Sequence, residues 1–277
     1  MIGPTRKQPL HRLRISLALR FQTAWRIGSG REGETSDLGV LLDSRQQPFI
    51  PGSSLKGNLR ATCERLASAL GLSACMLDRR LSGVSCVGDI DDRDLQAELA
   101  AEAAGRSSGA PLTWIEQHTC DVCQLFGSTA MAGRIAIADA HLTAASAGNG
   151  RIELRSGVVL DRDSRTAREG LLYDFEVAPS GVELSTTVEV VYPTDKDRAL
   201  LGAALFEWLD GMRVGGATSR GLGHATAELL EVKEVNLGDP HHRKDFLVNR
   251  QWQVVDVRAF LEQTGAKIAA RLGGVAC

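Results

Sequence analysis

The sequence predicts an α+β fold in which a four-stranded sheet carries two helices, in the order strand, helix, strand, strand, helix, strand. Several short segments alternate hydrophobic with polar residues, as strands with one buried face do. Two other segments repeat hydrophobic residues every three or four positions, as amphipathic helices do. Hydrophobic residues make up 43% of the 277 residues, which is enough for a substantial core.

The first strand and the first helix lie within residues 12–71. The strand is predicted from hydrophobic residues at every second position, namely Leu13, Ile15, Leu17, Leu19 and Phe21. The segment Pro51-Gly52-Ser53-Ser54 then opens a helix whose hydrophobic residues continue to Leu70. Gly71 is typical of a helix end.

The second half of the predicted core begins with a strand at 134–142 and an extended, Arg- and Asp-rich hairpin at 150–175. A third strand at 182–192, a helix beginning at Asp195 and a fourth strand at 224–232 follow. This order is ferredoxin-like, or RRM-like, and is shared by many RNA-binding domains. The tail adds a helix near 257–272.

Charge and composition exclude several classes of protein. The net charge of −2 argues against a general polyanion binder, so any contact with nucleic acid must be local. No hydrophobic run has the length of a membrane span, and a signal peptide is not apparent, so we expect a cytoplasmic protein without a membrane partner. Six cysteines in such a chain indicate reduced thiols or a metal site.

A zinc-bearing insertion is predicted at residues 72–128. His118, Cys120 and Cys123 form a compact group of ligands, and Cys86 or Cys75 lies far enough upstream to complete a tetrahedral site. Four protein ligands leave no open position for water, so the predicted zinc is structural. A redox pair at Cys120 and Cys123 is the alternative.

Two glycine-bearing segments could bind an anion. The loop at 215–223, GGATSRGLG, lets backbone N–H groups approach a phosphate and adds Arg220, although a plain tight turn is the alternative. The segment at 51–57, PGSSLKG, places Lys56 at a helix N-terminus, where the free N–H groups attract anions. Ordinary helix capping is the alternative there.

Four segments together resemble the RAMP family, the guide-RNA-binding backbone subunits of type III CRISPR effector complexes. They are PGSSLKGNLR (51–60), CQLFG (123–127), GVVLDRDSRTAREGLLYDFEVAPSG (157–181) and GGATSRGLG (215–223). The resemblance covers roughly 10–232 and implies one RAMP domain over 1–277. Within it we expect a thumb hairpin at 150–178, and beyond the resemblance a C-terminal extension at 236–277.

The resemblance implies that the chain binds a guide RNA (crRNA), contacts a target RNA and stacks with other CRISPR effector subunits. Affinity would then come from phosphates and not from base identity, because the guide is interchangeable. The expected RNA contacts are Ser53, Ser54, Lys56, Arg60, Arg162, Gly216, Ser219, Arg220 and Gly221.

Cleaving subunits of this family carry an aspartate between the first strand and the first helix, and a second one six residues later. Asp37 and Asp43 match that separation, although Leu38-Gly39 stands where the family has a proline. A carboxylate there could hold Mg²⁺ or orient a ribose hydroxyl for in-line attack, which predicts metal-dependent cleavage of target RNA. Glu32 and Glu34 are secondary candidates.

Three other functions stay open at the level of sequence. The chain could be a guide-binding scaffold without catalysis, in which Asp37 is only a loop residue. It could be a guide-processing endoribonuclease, for which His224 is the one histidine placed near the glycine loop. It could also be a zinc-dependent enzyme that acts on small molecules.

Overall fold

The computed structural model describes residues 10–32, 36–89, 93–105 and 110–273, and most of its strands form one antiparallel sheet. In chain order the strands are β1 (His11–Phe21), β2 (Ile135–Ile137), β3 (His141–Leu142), β4 (Glu153–Leu160), β5 (Ala167–Val177), β6 (Glu183–Val191), β7 (Met212–Arg213), β8 (His224–Asn236) and β9 (Gln253–Val255). The helices are α1 (Gly52–Ala67), α2 (Arg79–Ser82), α3 (Arg93–Gly105), α4 (Ala110–Gln117), α5 (Asp121–Phe126), α6 (Asp195–Asp210), α7 (Pro240–Asn249) and α8 (Val257–Leu272).

The main sheet has the order β2-β6-β1-β8-β7, with β3 beside β6 and β9 beside β8. Strand β1 lies in the centre and pairs antiparallel with β6 on one side and β8 on the other. Its alternating hydrophobic residues are buried, as the sequence predicted, and Leu17 and Leu19 are fully inaccessible to solvent. The elements β1, α1, β2, β6, α6 and β8 follow the predicted order.

The start of helix α6 is held by a capping box and by an ion pair. Its first turn is closed by a capping box, in which the Thr194 hydroxyl accepts from the Asp197 N–H and the Asp197 carboxylate accepts from the Thr194 N–H. Asp197 also pairs with the buried Arg134, which stands just before β2. These bonds fix the start of α6 against the neighbouring sheet strand.

The tail packs against α6 and joins the same hydrophobic core. Helix α8 has the bounds that the sequence predicted, and its Phe260 belongs to the main core. A Cβ on Gly202 would lie 2.1 Å from Thr264 Cγ2, so the missing side chain lets α6 and α8 approach closely. The sequence prediction missed α7 and β9, which precede this helix.

Residues 72–128 contain α2 to α5 and no strand among those that the structure describes. Helix α3 is the longest of these four helices. Strands β4 and β5 pair with each other in a separate two-stranded sheet, and Phe175 of β5 also forms an isolated bridge with Leu38. None of the described helices combines the length and the apolar character needed to cross a membrane.

Candidate functional site

The start of α1 and the glycine-rich loop before β8 meet across a groove of about 390 Å³. The two segments are separated by more than 150 positions in sequence, yet both contribute to its walls. The polar and glycine residues that line it are Gly28, Ser54, Asn58, Arg213, Gly215, Gly216 and Thr218. Exposed backbone of the loop and the side chain of Arg213 therefore face the same space as the first turns of α1.

Asn58 fixes the distance between the two walls. Its side-chain Nδ2 donates to the carbonyl of Arg213 at 2.7 Å, and its Oδ1 accepts from Trp208 Nε1 at 3.1 Å. Helix α1 is thus bound to the end of α6 and to β7. Sequence reasoning missed this residue, and the only available signal was that Asn58 lies four positions after Ser54, on the same helical face.

Most glycines of the loop serve the close packing of backbone on backbone. Gly215 and Gly223 both have positive φ, and an added Cβ would lie 2.3 Å from the Arg26 carbonyl oxygen or 2.1 Å from that of Val214. The N–H of Gly216 donates to the Arg26 carbonyl at 2.9 Å. Gly221 also has positive φ, but a Cβ there would meet open space. The loop is therefore a tight turn, and it also forms one wall of the groove.

The first turn of α1 has fewer free backbone N–H groups for an anion than the sequence suggested. The Asp139 carboxylate accepts from the Gly52 N–H at 2.7 Å, so one of the amides available to an anion has a protein partner. A Cβ on Gly52 would lie 2.1 Å from the Ile137 carbonyl oxygen, which explains why the helix begins with glycine. Ser53 is exposed, and Ser54 lines the groove.

Lys56 and Arg60 do not line this groove. Lys56 Nζ donates to the Ile135 carbonyl at 3.0 Å, and burial followed by the nearby Arg60 charge lowers the pKa of Lys56. Arg60 donates to Glu64, to the Gly127 carbonyl and to Cys123 Sγ. The prediction that these two residues contact RNA phosphates therefore gains no support from their orientation.

Arg220 points from the glycine loop to the β4–β5 hairpin. It ends the single 3₁₀ turn Thr218–Arg220, and its guanidinium donates to the Tyr173 hydroxyl at 3.0 Å. Ser219, Arg220 and Gly221 are all exposed. The base of the hairpin contacts the loop as well, because Val177 and Leu222 share a small buried cluster with Ala24.

Tyr173 and Phe175 are aromatic residues that sequence reasoning overlooked. They alternate along β5 and so project from the same face of the hairpin, with ring centroids 5.9 Å apart. A Cβ on Gly157 of β4 would lie 2.4 Å from Tyr173 Cζ, so the tyrosine ring covers this glycine. The hairpin therefore presents an aromatic pair beside Arg220.

Four cysteines of the insertion form a second candidate site. The sulfur atoms of Cys75, Cys86, Cys120 and Cys123 all lie within 4.8 Å of one another, and all four residues are buried. A tetrahedral zinc site with bonds of about 2.3 Å requires sulfur atoms about 3.8 Å apart. The Cys75 and Cys123 sulfur atoms are 3.6 Å apart, so the group fits a structural zinc ion.

The ligand prediction was wrong at one position. His118 is not part of the group, because its Nδ1 contacts the Trp114 carbonyl oxygen at 2.8 Å and its ring stacks on Trp114. Cys75 takes the fourth position beside Cys86, Cys120 and Cys123. His118 was predicted because it lies close to Cys120 and Cys123 in sequence. The fold of the insertion places Cys75 beside them instead.

Backbone amides surround the sulfur atoms. The N–H groups of Gly88 and Cys120 donate to Cys86 Sγ, each at 3.2 Å, and the Cys123 N–H donates to Cys120 Sγ at 3.4 Å. A Cβ on Gly88 would lie 2.6 Å from Cys123 Sγ. Hydrogen bonds among the four thiols lower the pKa of Cys75 to about 7 and lower that of Cys86, whereas they raise the pKa of Cys120 and Cys123.

Comparison with known protein families matches the RAMP superfamily over residues 18–226. The chain belongs to the RAMP superfamily. The match begins within β1 and ends within β8, so it includes the groove, the cysteine group and the hairpin. Membership implies a role in binding CRISPR RNA. No curated protein matches the chain by sequence.

The two aspartates of this RAMP protein have different surroundings. Asp37 is exposed, and its Oδ2 accepts from the Asp174 N–H at 2.8 Å, which joins the loop to β5. Asp43 closes a turn by accepting from the N–H groups of Arg45 and Gln47, and the Gln47 bond is the main reason that the pKa of Asp43 is lowered.

Neither aspartate belongs to a group of three metal-ligating side chains, since the cysteine group alone meets that criterion among the described residues. Glu34 lies outside the described residues, and Glu32 is exposed. The prediction of Mg²⁺ at Asp37 and Asp43 therefore gains no structural support.

Arg162 is exposed at the tip of the hairpin, where Asp161 Oδ1 accepts from the N–H groups of Asp163 and Ser164. His224 is exposed at the start of β8, and its N–H donates to Thr23 Oγ1. The side chains of Arg162 at the hairpin tip and of His224 at the end of the glycine loop are therefore both exposed to solvent.

Proposed function

We propose that this RAMP protein is a guide-RNA-binding backbone subunit of a type III CRISPR effector complex. In this proposal β1, α1, β2, β6, α6 and β8 make up a ferredoxin-like core, and the β4–β5 hairpin is the thumb. The zinc-bearing insertion and the C-terminal extension surround that core. The family match and the predicted motifs support the assignment.

The groove between α1 and the glycine loop is the observation that carries this proposal. Ser54 and Thr218 offer hydroxyl groups, and Arg213 adds an exposed cation. Such groups recognise a sugar–phosphate chain without reading the bases. A subunit that accepts any guide sequence needs that kind of recognition.

The thumb would meet the guide–target duplex on the other side of the loop. Arg220 extends from the groove region to Tyr173, so cationic and aromatic groups form a continuous surface there. Arg162 at the hairpin tip and the exposed Ser219 and Gly221 would contact RNA from this side. Target RNA and neighbouring effector subunits are the partners of the thumb in this proposal.

Binding of RNA by the purified full-length chain tests the groove. Arg213→Ala should weaken the binding of a guide-length RNA about tenfold and make the affinity less dependent on salt, because one phosphate contact is lost. Arg243→Ala is the matched control, since it removes an exposed arginine on α7 and should leave the affinity unchanged. Equal affinities for the Arg213 variant and the wild type would contradict the groove assignment.

Cleavage of target RNA with Mg²⁺ stays a prediction that concerns Asp37. Its exposed carboxylate lies at the base of the thumb, where it could approach RNA. Complementary RNA should be cut by the assembled complex and left intact when the complex carries Asp37→Ala. Binding without cleavage by the wild-type complex would identify the chain as a scaffold subunit.

A further inference from the structure

Arg60 connects the cysteine group to helix α1. Its three guanidinium nitrogens have three different partners: Nε donates to Glu64 at 2.9 Å, one terminal nitrogen to the Gly127 carbonyl at 3.1 Å, and the other to Cys123 Sγ at 3.1 Å. Only 19% of the side chain is exposed. An arginine on the surface of a helix does not normally acquire this set of partners.

The charge of the metal centre makes this contact important. A zinc ion with four thiolates carries a net charge of −2, and all four ligands are buried. Removing such a charge from water is costly unless hydrogen bonds and opposite charges accompany it. Backbone amides supply three hydrogen bonds to Cys86 and Cys120, whereas Cys123 Sγ receives its bond from the cation Arg60.

The neighbouring residues hold Arg60 in place for this contact. Glu64, one turn later on α1, accepts from Nε and orients the guanidinium plane. Gly127 accepts from the same guanidinium, while its own N–H donates to the Cys123 carbonyl at 2.8 Å. Cys123 within α5 and Gly127 just after it are therefore both connected to α1 through one side chain.

We propose that Arg60 is a positioning residue of the metal centre, which stabilises the Cys123 thiolate and fixes the insertion to α1. Retention of the metal ion then depends on Arg60, which was predicted from the sequence to contact RNA. The proposal rests on the cysteine group and not on the RNA-binding function, so each can fail while the other stands.

Zinc retention by the full-length protein tests this role. The zinc-loaded wild type, Arg60→Gln and Arg60→Lys are titrated with a chromogenic chelator, and Arg65→Gln is the control on the same helix. Arg65 is 60% exposed and pairs with Glu207, away from the cysteines. We expect Arg60→Gln to lower the zinc affinity about 10- to 100-fold, Arg60→Lys to have a smaller effect, and Arg65→Gln to have none.

Cobalt substitution separates the thiolate contact from a general loss of stability. Without a hydrogen bond to Cys123 Sγ, the sulfur-to-cobalt charge-transfer band should move to lower energy, whereas a loss of helix anchoring alone would leave the band in place. Far-UV circular dichroism establishes that each variant is folded, and Arg60→Lys serves if Arg60→Gln does not fold. Wild-type zinc affinity and an unshifted cobalt band in either variant would overturn the proposal.

Discussion

Helix α1 has two sides with different tasks, although both carry polar residues of the same short motif. Ser54 and Asn58 face the groove and the glycine loop. Lys56 and Arg60 face β2 and the cysteine group. Each pair is spaced by four positions, and two positions of offset rotate one pair about 200° from the other. Proximity in sequence therefore says little about a shared partner on a helix.

The comparison also explains why positive charge alone does not identify the side of a helix that is open to a ligand. Arg213 lies in the groove and is exposed, whereas Arg60 is largely buried against sulfur and carbonyl acceptors. The residue type is identical and the environment decides the role. Substitutions on the two sides of α1 should consequently change different observables.

The largest expected effect lies on the cysteine side. Cys123→Ala removes one of four zinc ligands and should reduce the bound zinc from one equivalent to nearly none. The free energy of unfolding should fall by about 4 kcal/mol or more, because structural zinc sites contribute about 10–16 kcal/mol of binding energy. Metal analysis and urea denaturation measure both quantities.

Cys63 provides the matched control for that experiment. It is buried on α1 outside the four-cysteine group, and burial raises the pKa of its thiol. Cys63→Ala should keep a full equivalent of zinc. Loss of zinc in this variant, or its retention in Cys123→Ala, would show that the four sulfur atoms are not the ligands.

A somewhat smaller effect is expected from the glycine loop on the groove side. Gly223→Ala should destabilise the protein by about 3 kcal/mol, because it adds backbone strain and places a Cβ only 2.1 Å from the Val214 carbonyl oxygen. Gly221→Ala carries only the strain, about 1–2 kcal/mol, since its Cβ would meet open space. Urea denaturation of both variants should show this difference, and equal losses would contradict the packed geometry.

The smallest effect is expected for Lys56, which lies on the side of α1 that faces β2. Lys56→Met should change the affinity for a guide-length RNA by less than about twofold. The ammonium group lies on the β2 side of α1, so it could attract RNA in the groove only by a long-range charge interaction that salt screens. Filter-binding measurements beside Arg213→Ala provide the scale. A loss of affinity as large as that of Arg213→Ala would indicate that RNA binds on the β2 side of the helix and would contradict the groove assignment.

Regular periodicity made much of the fold predictable from sequence. Strand β1, helix α6 and helix α8 were identified because each repeats hydrophobic residues over several turns or positions. Short elements such as α5 and β9 were missed, since they contain too few residues to show a period. Their positions depend on tertiary contacts.

The candidate sites were predictable in part for a similar reason. Glycine patterns identified both walls of the groove, because a backbone without a Cβ leaves a direct trace in sequence. The partners of a side chain leave none, so the contacts of Asn58, Lys56 and Arg60 could not be foreseen. The cysteine count predicted a metal site, but only the folded insertion identifies Cys75 as its fourth member.

The close contact between Gly202 and Thr264 has a consequence for how this chain can be divided. The family match ends at residue 226, whereas Phe260 of α8 completes the hydrophobic core next to Leu201. A fragment trimmed to the matched residues would expose that apolar surface to water and should aggregate. The matched residues are thus fewer than those that share the hydrophobic core, and a stable domain requires the segment that follows the match.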